Sequence, residues 1–164
     1  MNNEKNLEIE RKFLIKYPDT AILESVKGAK KIDITQAYTA CGARLRRWQD
    51  GDRVSYIKTV KTHITDLTRI EIENEITREE YETLLKEETS SLKKTRYRIP
   101  FEGHLLEIDI FPFWKNQAFL EIELQSEEET FSIPEYITVI KEVTEDKAYR
   151  NYALSKNIPK EENF

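Results

Sequence analysis

The chain has 164 residues, enough for a substantial core, and we expect a single domain over residues 1–164. Charged residues make up 35% of it and hydrophobic residues 38%, so the apolar side chains must occupy one face of each element. The net charge of −5 argues against a general nucleic-acid binder and against a protein that binds membranes through a basic surface.

Cysteine content and the first residues of the chain predict a cytoplasmic protein. Cys41 is the only cysteine, which excludes an intramolecular disulfide, and no apolar run has the length of a signal peptide or a membrane span. Two histidines and one cysteine argue against a structural zinc site. The abundant carboxylates suit hard cations instead, so any metal ion should be bound through oxygen.

The first predicted elements are a strand, a short helix and a second strand. Residues 7–14 alternate between two faces, one of which would carry Glu8, Glu10 and Lys12. A helix is predicted over residues 19–27, where Asp19 or Thr20 can cap its start and Gly28 can end it. Residues 32–40 then alternate as a strand that includes Tyr38.

Three further strands are predicted before the middle of the chain. Residues 43–49 and 53–60 are joined by a hairpin turn at residues 50–52, and a polar loop over residues 61–67 leads to a strand at residues 68–76. The faces with isolated charges carry Arg44, Arg46 and Trp48 on the first strand, Tyr56 and Lys58 on the second, and Arg69, Glu71, Glu73 and Glu75 on the third. The alternation in the third strand is the cleanest.

The second half of the chain combines three strands with helices. A capping box of Thr77 and Glu80 predicts a helix over residues 78–88. The charged faces of the next strands carry Lys94 and Arg96 on residues 94–100, Glu107 and Asp109 on residues 105–111, and Glu121 and Glu123 on residues 119–125. A second capping box, Ser132 with Glu135, predicts another helix, and a last helix is expected near residues 147–156.

The charged strand faces differ from an ordinary solvated sheet, which is the competing interpretation. Nearly every position on them is a full charge, and the signs are segregated by strand, so like charges lie two residues apart. Repulsion between these like charges does not stabilise the fold, so we expect a bound group of opposite charge to compensate it. The helices must meanwhile cover the apolar strand faces. We therefore predict an α+β fold, an antiparallel β-barrel with a charged lumen and with helices packed outside.

A lumen with basic strands on one side and acidic strands on the other suits an anion that travels with divalent cations. Polyphosphate with magnesium fits this description best. The basic side chains would form charge-assisted hydrogen bonds to phosphate oxygens, and the carboxylates would hold the metal ion.

These motifs resemble, in their order, those of one known family. Residues 8–12 resemble the ExExK signature of the CYTH superfamily, the triphosphate tunnel metalloenzymes. The motifs that follow are Arg44-Leu45-Arg46, Tyr56-Ile57-Lys58, and residues 69–73, 94–97, 107–111, 121–123 and 142–147. The resemblance covers nearly the whole chain and implies an eight-stranded antiparallel tunnel, Mg²⁺ or Mn²⁺, and a triphosphate substrate. With Tyr38, the chain looks most like the short bacterial inorganic triphosphatases.

The resemblance also implies roles for the matched residues. Metal would be held by Glu8, Glu10, Glu121 and Glu123, and phosphate by Arg44, Arg46, Lys58, Lys94 and Arg96. A supporting layer around them would consist of Arg69, Glu71, Glu73, Glu107 and Asp109. Lys12 and Tyr38 would orient or deprotonate the attacking water. Because Glu8 and Glu10 favour a protonated Lys12, electrostatic positioning is better supported than base catalysis, unless arginines, metal or burial offset the carboxylates.

Several functions are compatible with such a tunnel. Hydrolysis of inorganic tripolyphosphate to diphosphate and phosphate is the first. The alternatives are a class IV-type adenylate cyclase, a thiamine or nucleoside triphosphatase, and a tunnel that binds polyphosphate without turnover. A lipocalin-like barrel is disfavoured by the charged strands. The expected partner is a small triphosphate or polyphosphate, with no nucleic acid and no membrane; a homodimer is also considered, because many relatives are dimers.

Overall fold

The strands form one antiparallel sheet that closes into a barrel in the computed structural model, which describes residues 7–162. In chain order they are β1 Leu7–Lys16, β2 Lys30–Thr39, β3 Arg44–Asp50, β4 Arg53–His63, β5 Thr68–Ile76, β6 Glu88–Phe101, β7 His104–Ile110, β8 Gln117–Glu123 and β9 Val139–Glu142. The sheet order is β5-β4-β3-β2-β6-β7-β8-β1-β9, and β5 also pairs with β1. That pairing closes eight strands, which confirms the predicted barrel, and β9 is an additional strand beside β1.

Two helices pack on the outside of the barrel, as predicted. Helix α1, Thr20–Ser25, begins at Asp19, whose side chain accepts a hydrogen bond from the Ala21 amide, and it packs against β6. Helix α2, Arg78–Leu85, has the complete Thr77 and Glu80 capping box and lies against β2, β3 and β4. Capping satisfies amides at the helix start that have no partner within the helix.

The helix predicted from Ser132 and Glu135 is wrong. The Ile137 amide donates to the Pro134 carbonyl in a turn, and the chain then enters β9, which pairs with β1. Pairing with β1 supplies the backbone hydrogen bonds that a helix would otherwise have provided. The last predicted helix is also shorter than expected, with a 3₁₀ turn at Lys147–Tyr149 followed by helix α3 at Asn151–Leu154.

Apolar side chains form two separate cores, one on each face of the barrel wall. The outer core takes alternate residues of β1 and β8, such as Ile9, Phe13, Leu120 and Ile122, together with β6, β7 and α1. The second core closes one end of the lumen and contains Leu14, Leu92, Phe111, Trp114, Phe119, Val143, Tyr149 and Leu154. The remaining lumen is left to polar and charged side chains. None of the helices within residues 7–162 is long and apolar enough to span a membrane.

Candidate active site in the barrel lumen

The barrel encloses an open cavity of about 530 Å³. Most of the residues that the sequence assigned to the lumen line it. They are Glu8, Glu10, Lys12, Tyr38, Arg44, Arg46, Arg69, Glu71, Glu73, Arg96, Glu107, Glu121 and Glu123. Strand alternation places them there, because every second side chain of a barrel strand points inward.

Carboxylates are crowded on the wall formed by β1 and β8. Glu10 lies opposite Glu123 in the strand register, and Lys12 lies opposite Glu121. Burial, together with the negative charges of Glu121 and Glu8, raises the pKa of Glu10 to about 7, although Arg69 Nη2 lies 3.3 Å from Glu10 Oε1. A nearby cation would relieve this repulsion.

The donor chemistry of this wall fits a hard divalent cation. Glu8, Glu10, Glu121 and Glu123 offer only oxygen ligands, which magnesium and manganese accept. Across residues 7–162, no three Asp, Glu, His or Cys side chains converge as closely as a preformed metal site requires. Mg²⁺ commonly binds through one or two carboxylates plus substrate phosphates and water, so a partial protein ligand set is compatible with it.

Lys12 is held from three sides on the same wall. Its Nζ donates to the Tyr149 carbonyl oxygen at 2.7 Å, lies 3.6 Å from Glu121 Oε1, and sits 4.0 Å from the centre of the Phe119 ring. Burial lowers the pKa of Lys12, while the carboxylates of Glu121 and Glu10 oppose that shift. The sequence alone predicts that the neighbouring carboxylates keep Lys12 protonated. In the structure, the effect of burial on the pKa of Lys12 is larger than the effect of these carboxylates, so Lys12 holds its proton less strongly than expected.

The arginines of β3 have few protein anions to satisfy them. Arg44 Nη2 lies 3.4 Å from Thr59 Oγ1 and 3.5 Å from Glu71 Oε1, and its Nε has no hydrogen-bond partner among the described residues. Burial and the positive charges of Arg44 and Arg96 lower the pKa of Arg46 to about 9. Buried donors of this kind favour an incoming anion, because leaving them unpaired costs free energy.

Asp109 anchors the bases of β6. Its side chain is fully buried and accepts hydrogen bonds from Arg96 Nε at 2.8 Å and Arg96 Nη2 at 2.9 Å, while Lys94 Nζ lies 2.8 Å from Oδ2. Burial favours a protonated carboxyl, but the charges of Arg96 and Lys94 hold the pKa of Asp109 well below its usual range. Lys94 is itself shielded from the cavity, with its ammonium against Asp109 and 3.3 Å from Asn151 Oδ1.

The structure corrects the assignment of Lys58. Ile57, Thr59, Lys61 and His63 are the residues of β4 that line the cavity, so Lys58 lies on the opposite face of the strand. Lys61 takes the expected place instead, with its Nζ 3.1 Å from Glu71 Oε1. Strand β4 continues to His63, so the predicted loop over residues 61–67 begins three residues later.

Sequence reasoning also missed several residues of the site. The additional cavity-lining side chains include Lys61, His63, Arg98, Thr144, Arg150, Asn151 and Tyr152. Tyr152 packs edge-on against Tyr38, with ring centres 5.1 Å apart. The C-terminal members lie more than 100 positions from Tyr38 in the chain, and no local pattern connects them. Arg98 had a usable signal, because it continues the alternation of Lys94 and Arg96.

Comparison with known sequences gives matches over most of the chain. A family model described as the CYTH domain matches residues 6–149. A protein of Nitrosomonas europaea named inorganic triphosphatase is 34% identical over 162 residues, which cover 93% of this chain and 99% of the relative. A second inorganic triphosphatase, from Acetivibrio thermocellus, is 38% identical over 103 residues, 60% of this chain and 64% of that protein.

Solved structures give the same barrel. The crystal structure of an inorganic triphosphatase superimposes with a TM-score of 0.56 at 30% identity and covers 93% of this chain and 97% of that one. A conserved hypothetical protein from Pyrococcus furiosus has a TM-score of 0.53 at 21% identity, over 74% of this chain and 80% of its own, which indicates a shared fold.

Proposed function

The chain belongs to the CYTH domain family, and we propose that it is a divalent-metal-dependent hydrolase that cleaves inorganic tripolyphosphate to diphosphate and phosphate. The observation that carries the proposal is the pairing of two incompletely neutralised walls in one cavity. Arg44 and Arg46 present buried donors there, while Glu10 and its neighbours form a crowded carboxylate wall. The inorganic triphosphatases among the relatives support the substrate.

The residues of this chain divide the work as follows. Arg44, Arg46 and Arg96 bind phosphoryl oxygens and stabilise the negative charge that moves during in-line attack by water. Lys61 replaces Lys58 in this group, and Lys94 acts indirectly by sharing Asp109 with Arg96. Lys12 is placed by the Tyr149 carbonyl and by Glu121, where it and Tyr38 can orient the attacking water.

Glu8, Glu10, Glu121 and Glu123 are the residues that we propose hold the metal ion. Bound Mg²⁺ or Mn²⁺ would polarise phosphoryl oxygens and offset their charge. The supporting residues act on these carboxylates or on the bases. Arg69 pairs with Glu10, Glu71 with Arg44, and Glu107 and Asp109 with Arg96. Glu73 acts on Arg44 through its negative charge. The single cysteine is compatible with a reducing compartment, and we propose the cytoplasm.

Removal of divalent cations is expected to abolish turnover. Without a cation, the negative charges of the triphosphate and of the carboxylate wall would repel each other. Phosphate release should fall to the background rate after dialysis against a chelator and return when Mg²⁺ or Mn²⁺ is added, with Na⁺ at equal ionic strength as the control. Full activity in the chelated enzyme would contradict the proposed metal dependence.

Lys61→Ala should weaken the enzyme, whereas Lys58→Ala should not. The two lysines lie on opposite faces of β4, and only Lys61 lines the cavity. Loss of one charge-assisted contact to phosphate should lower kcat/KM by about 10- to 100-fold, and the Lys58 variant should stay within about twofold of wild type, as for an ordinary surface change. Initial rates across tripolyphosphate concentrations measure both variants. Equal losses would show that strand parity does not decide the role.

A substrate panel tests the proposed function against its alternatives. Tripolyphosphate, ATP, thiamine triphosphate and longer polyphosphates would each be incubated with the enzyme and with Mg²⁺ or Mn²⁺, and both phosphate and cyclic nucleotide would be measured. We expect tripolyphosphate to give the highest kcat/KM and no cyclic AMP to form from ATP. Cyclic AMP as the main product would support a cyclase, and tight binding without any product would support a binding tunnel.

A further inference from the structure

A buried glutamine connects Arg46, which we propose binds phosphoryl oxygens, with Tyr38, which we propose orients the attacking water. Gln36 lies on β2, two residues before Tyr38 and opposite Arg46 of β3, and its side chain is fully buried and does not line the cavity. Arg46 Nε donates to Gln36 Oε1 at 3.0 Å, and Gln36 Nε2 donates to the Tyr38 hydroxyl oxygen at 2.6 Å. Both polar atoms of the Gln36 amide therefore form hydrogen bonds to residues that line the lumen.

The chemistry of arginine fixes the direction of this chain of hydrogen bonds. A guanidinium group has donors and no acceptor, so the Gln36 oxygen must face Arg46. The Gln36 NH₂ group then faces Tyr38, and the Tyr38 oxygen must accept from it. The Tyr38 proton is therefore directed away from Gln36. No described residue accepts a hydrogen bond from the Tyr38 hydroxyl, and Tyr38 lines the cavity.

We propose that Gln36 is a positioning residue that fixes Tyr38 as a hydrogen-bond donor into the tunnel. This inference rests on the proposed function, in which the acceptor is a phosphoryl oxygen of the triphosphate or the oxygen of the attacking water. Donation runs from Arg46 through Gln36 to Tyr38 and then to that oxygen, and each bond polarises the next. Tyr38 then supplies a proton to a hydrogen bond and does not remove one from water.

Gln36→Glu reverses the direction of donation with little change in shape. A carboxylate accepts from both neighbours, so Arg46 stays paired while the Tyr38 hydroxyl turns to donate to the new carboxylate. Gln36→Met removes both bonds and leaves Tyr38 free to donate into the tunnel. The proposal therefore predicts that Gln36→Glu is slower than Gln36→Met, although it removes fewer hydrogen bonds. A purely structural role for Gln36 predicts the opposite order.

Steady-state kinetics on tripolyphosphate with Mg²⁺ or Mn²⁺ test this order. We expect kcat of Gln36→Glu to fall by about 10- to 100-fold, to the level of Tyr38→Phe. KM should rise as well, because the new carboxylate neutralises part of the charge that Arg46 offers to phosphate. The double variant should be no slower than either single variant, since both remove the same donor. Gln49→Glu is the matched control, because Gln49 lies on the outward face of β3 and should leave kcat unchanged. Additive losses in the double variant, or wild-type kcat in Gln36→Glu, would overturn the proposal.

A second measurement does not depend on turnover. The ¹³Cζ resonance of Tyr38 can be assigned as the signal that Tyr38→Phe removes, and it should shift when tripolyphosphate is added to the wild-type protein. An unshifted resonance in the presence of bound tripolyphosphate would overturn the donor role even if Gln36→Glu failed to fold. Absence of phosphate release by the wild-type enzyme would instead refute the proposed function and leave this readout to decide whether Tyr38 donates into the tunnel.

Discussion

Arg44→Ala is expected to lower kcat/KM for tripolyphosphate by about 100- to 1,000-fold, the range found when one preorganised donor to a developing oxyanion is removed. The Arg44 side chain is buried in the cavity wall, its nearest protein oxygens lie 3.4 and 3.5 Å away, and its Nε has no partner among the described residues. These donors are therefore available to phosphate. Initial-rate kinetics at saturating Mg²⁺ would measure the loss.

Arg47→Ala is the matched control for that variant. Arg47 has the same side chain on the same strand, but it points to the outer face and bonds Gln49 Oε1 at 3.0 Å. Its removal should change kcat/KM by less than about twofold, the size expected for a substitution away from the site. Similar losses in both variants would mean that general positive charge, rather than the lumen geometry, supports turnover.

Asp109→Ala should cause the largest loss of stability. It would leave the cationic side chains of Lys94 and Arg96 buried without their carboxylate, and breaking a buried ion pair from one side costs about 3 to 5 kcal/mol. For a domain of this size, that corresponds to a fall in Tm of roughly 10 °C. Activity should fall as well, because Arg96 loses the bidentate contact that orients it.

Asp33→Ala provides the comparison for Asp109→Ala. Asp33 is exposed on β2 and accepts a hydrogen bond from Thr95 Oγ1 at 3.2 Å, so its removal should change the free energy of unfolding by less than about 0.5 kcal/mol. Chemical denaturation of both variants would give the two values. A loss below about 1 kcal/mol for Asp109→Ala would show that water or side-chain rearrangement compensates the buried cations.

The barrel could be predicted from the sequence because most strands have one charged face and one apolar face. In β5, isoleucines alternate with Arg69, Glu71 and Glu73 without interruption, and the predicted bounds match those of the structure. Alternation of this kind fixes which side chains share a face, and in β1 and β8 the apolar face is buried in the outer core, so the charged face points inward. The inward placement of the acids and most of the bases followed from that constraint.

The prediction for strand β4 was wrong because each of its faces combines apolar and polar side chains. Tyr56, Lys58 and Val60 lie on one face and Ile57, Thr59 and Lys61 on the other, so alternation alone cannot say which lysine points inward. The register with β5 decides it, because Lys61 lies opposite Glu71. That pairing depends on the length of the connecting loop, which a local pattern does not contain.

The C-terminal errors have a different cause. Residues 132–140 have the local pattern of a helix start, yet Val139–Glu142 adds to β1, more than 120 positions earlier in the chain. The backbone contact of Tyr149 with Lys12 is equally remote in sequence. Tertiary pairing overrides local propensity in such segments, and only the folded barrel brings these partners together.

The most direct test of the central claim is ³¹P NMR of tripolyphosphate incubated with the wild-type enzyme and Mg²⁺. We predict that the tripolyphosphate signals are replaced by orthophosphate and diphosphate in equal amounts, and that the same incubation with Arg44→Ala leaves most of the substrate intact. Unchanged tripolyphosphate in the wild-type sample, under conditions where it binds, would contradict the account and identify the tunnel as a binding site without turnover.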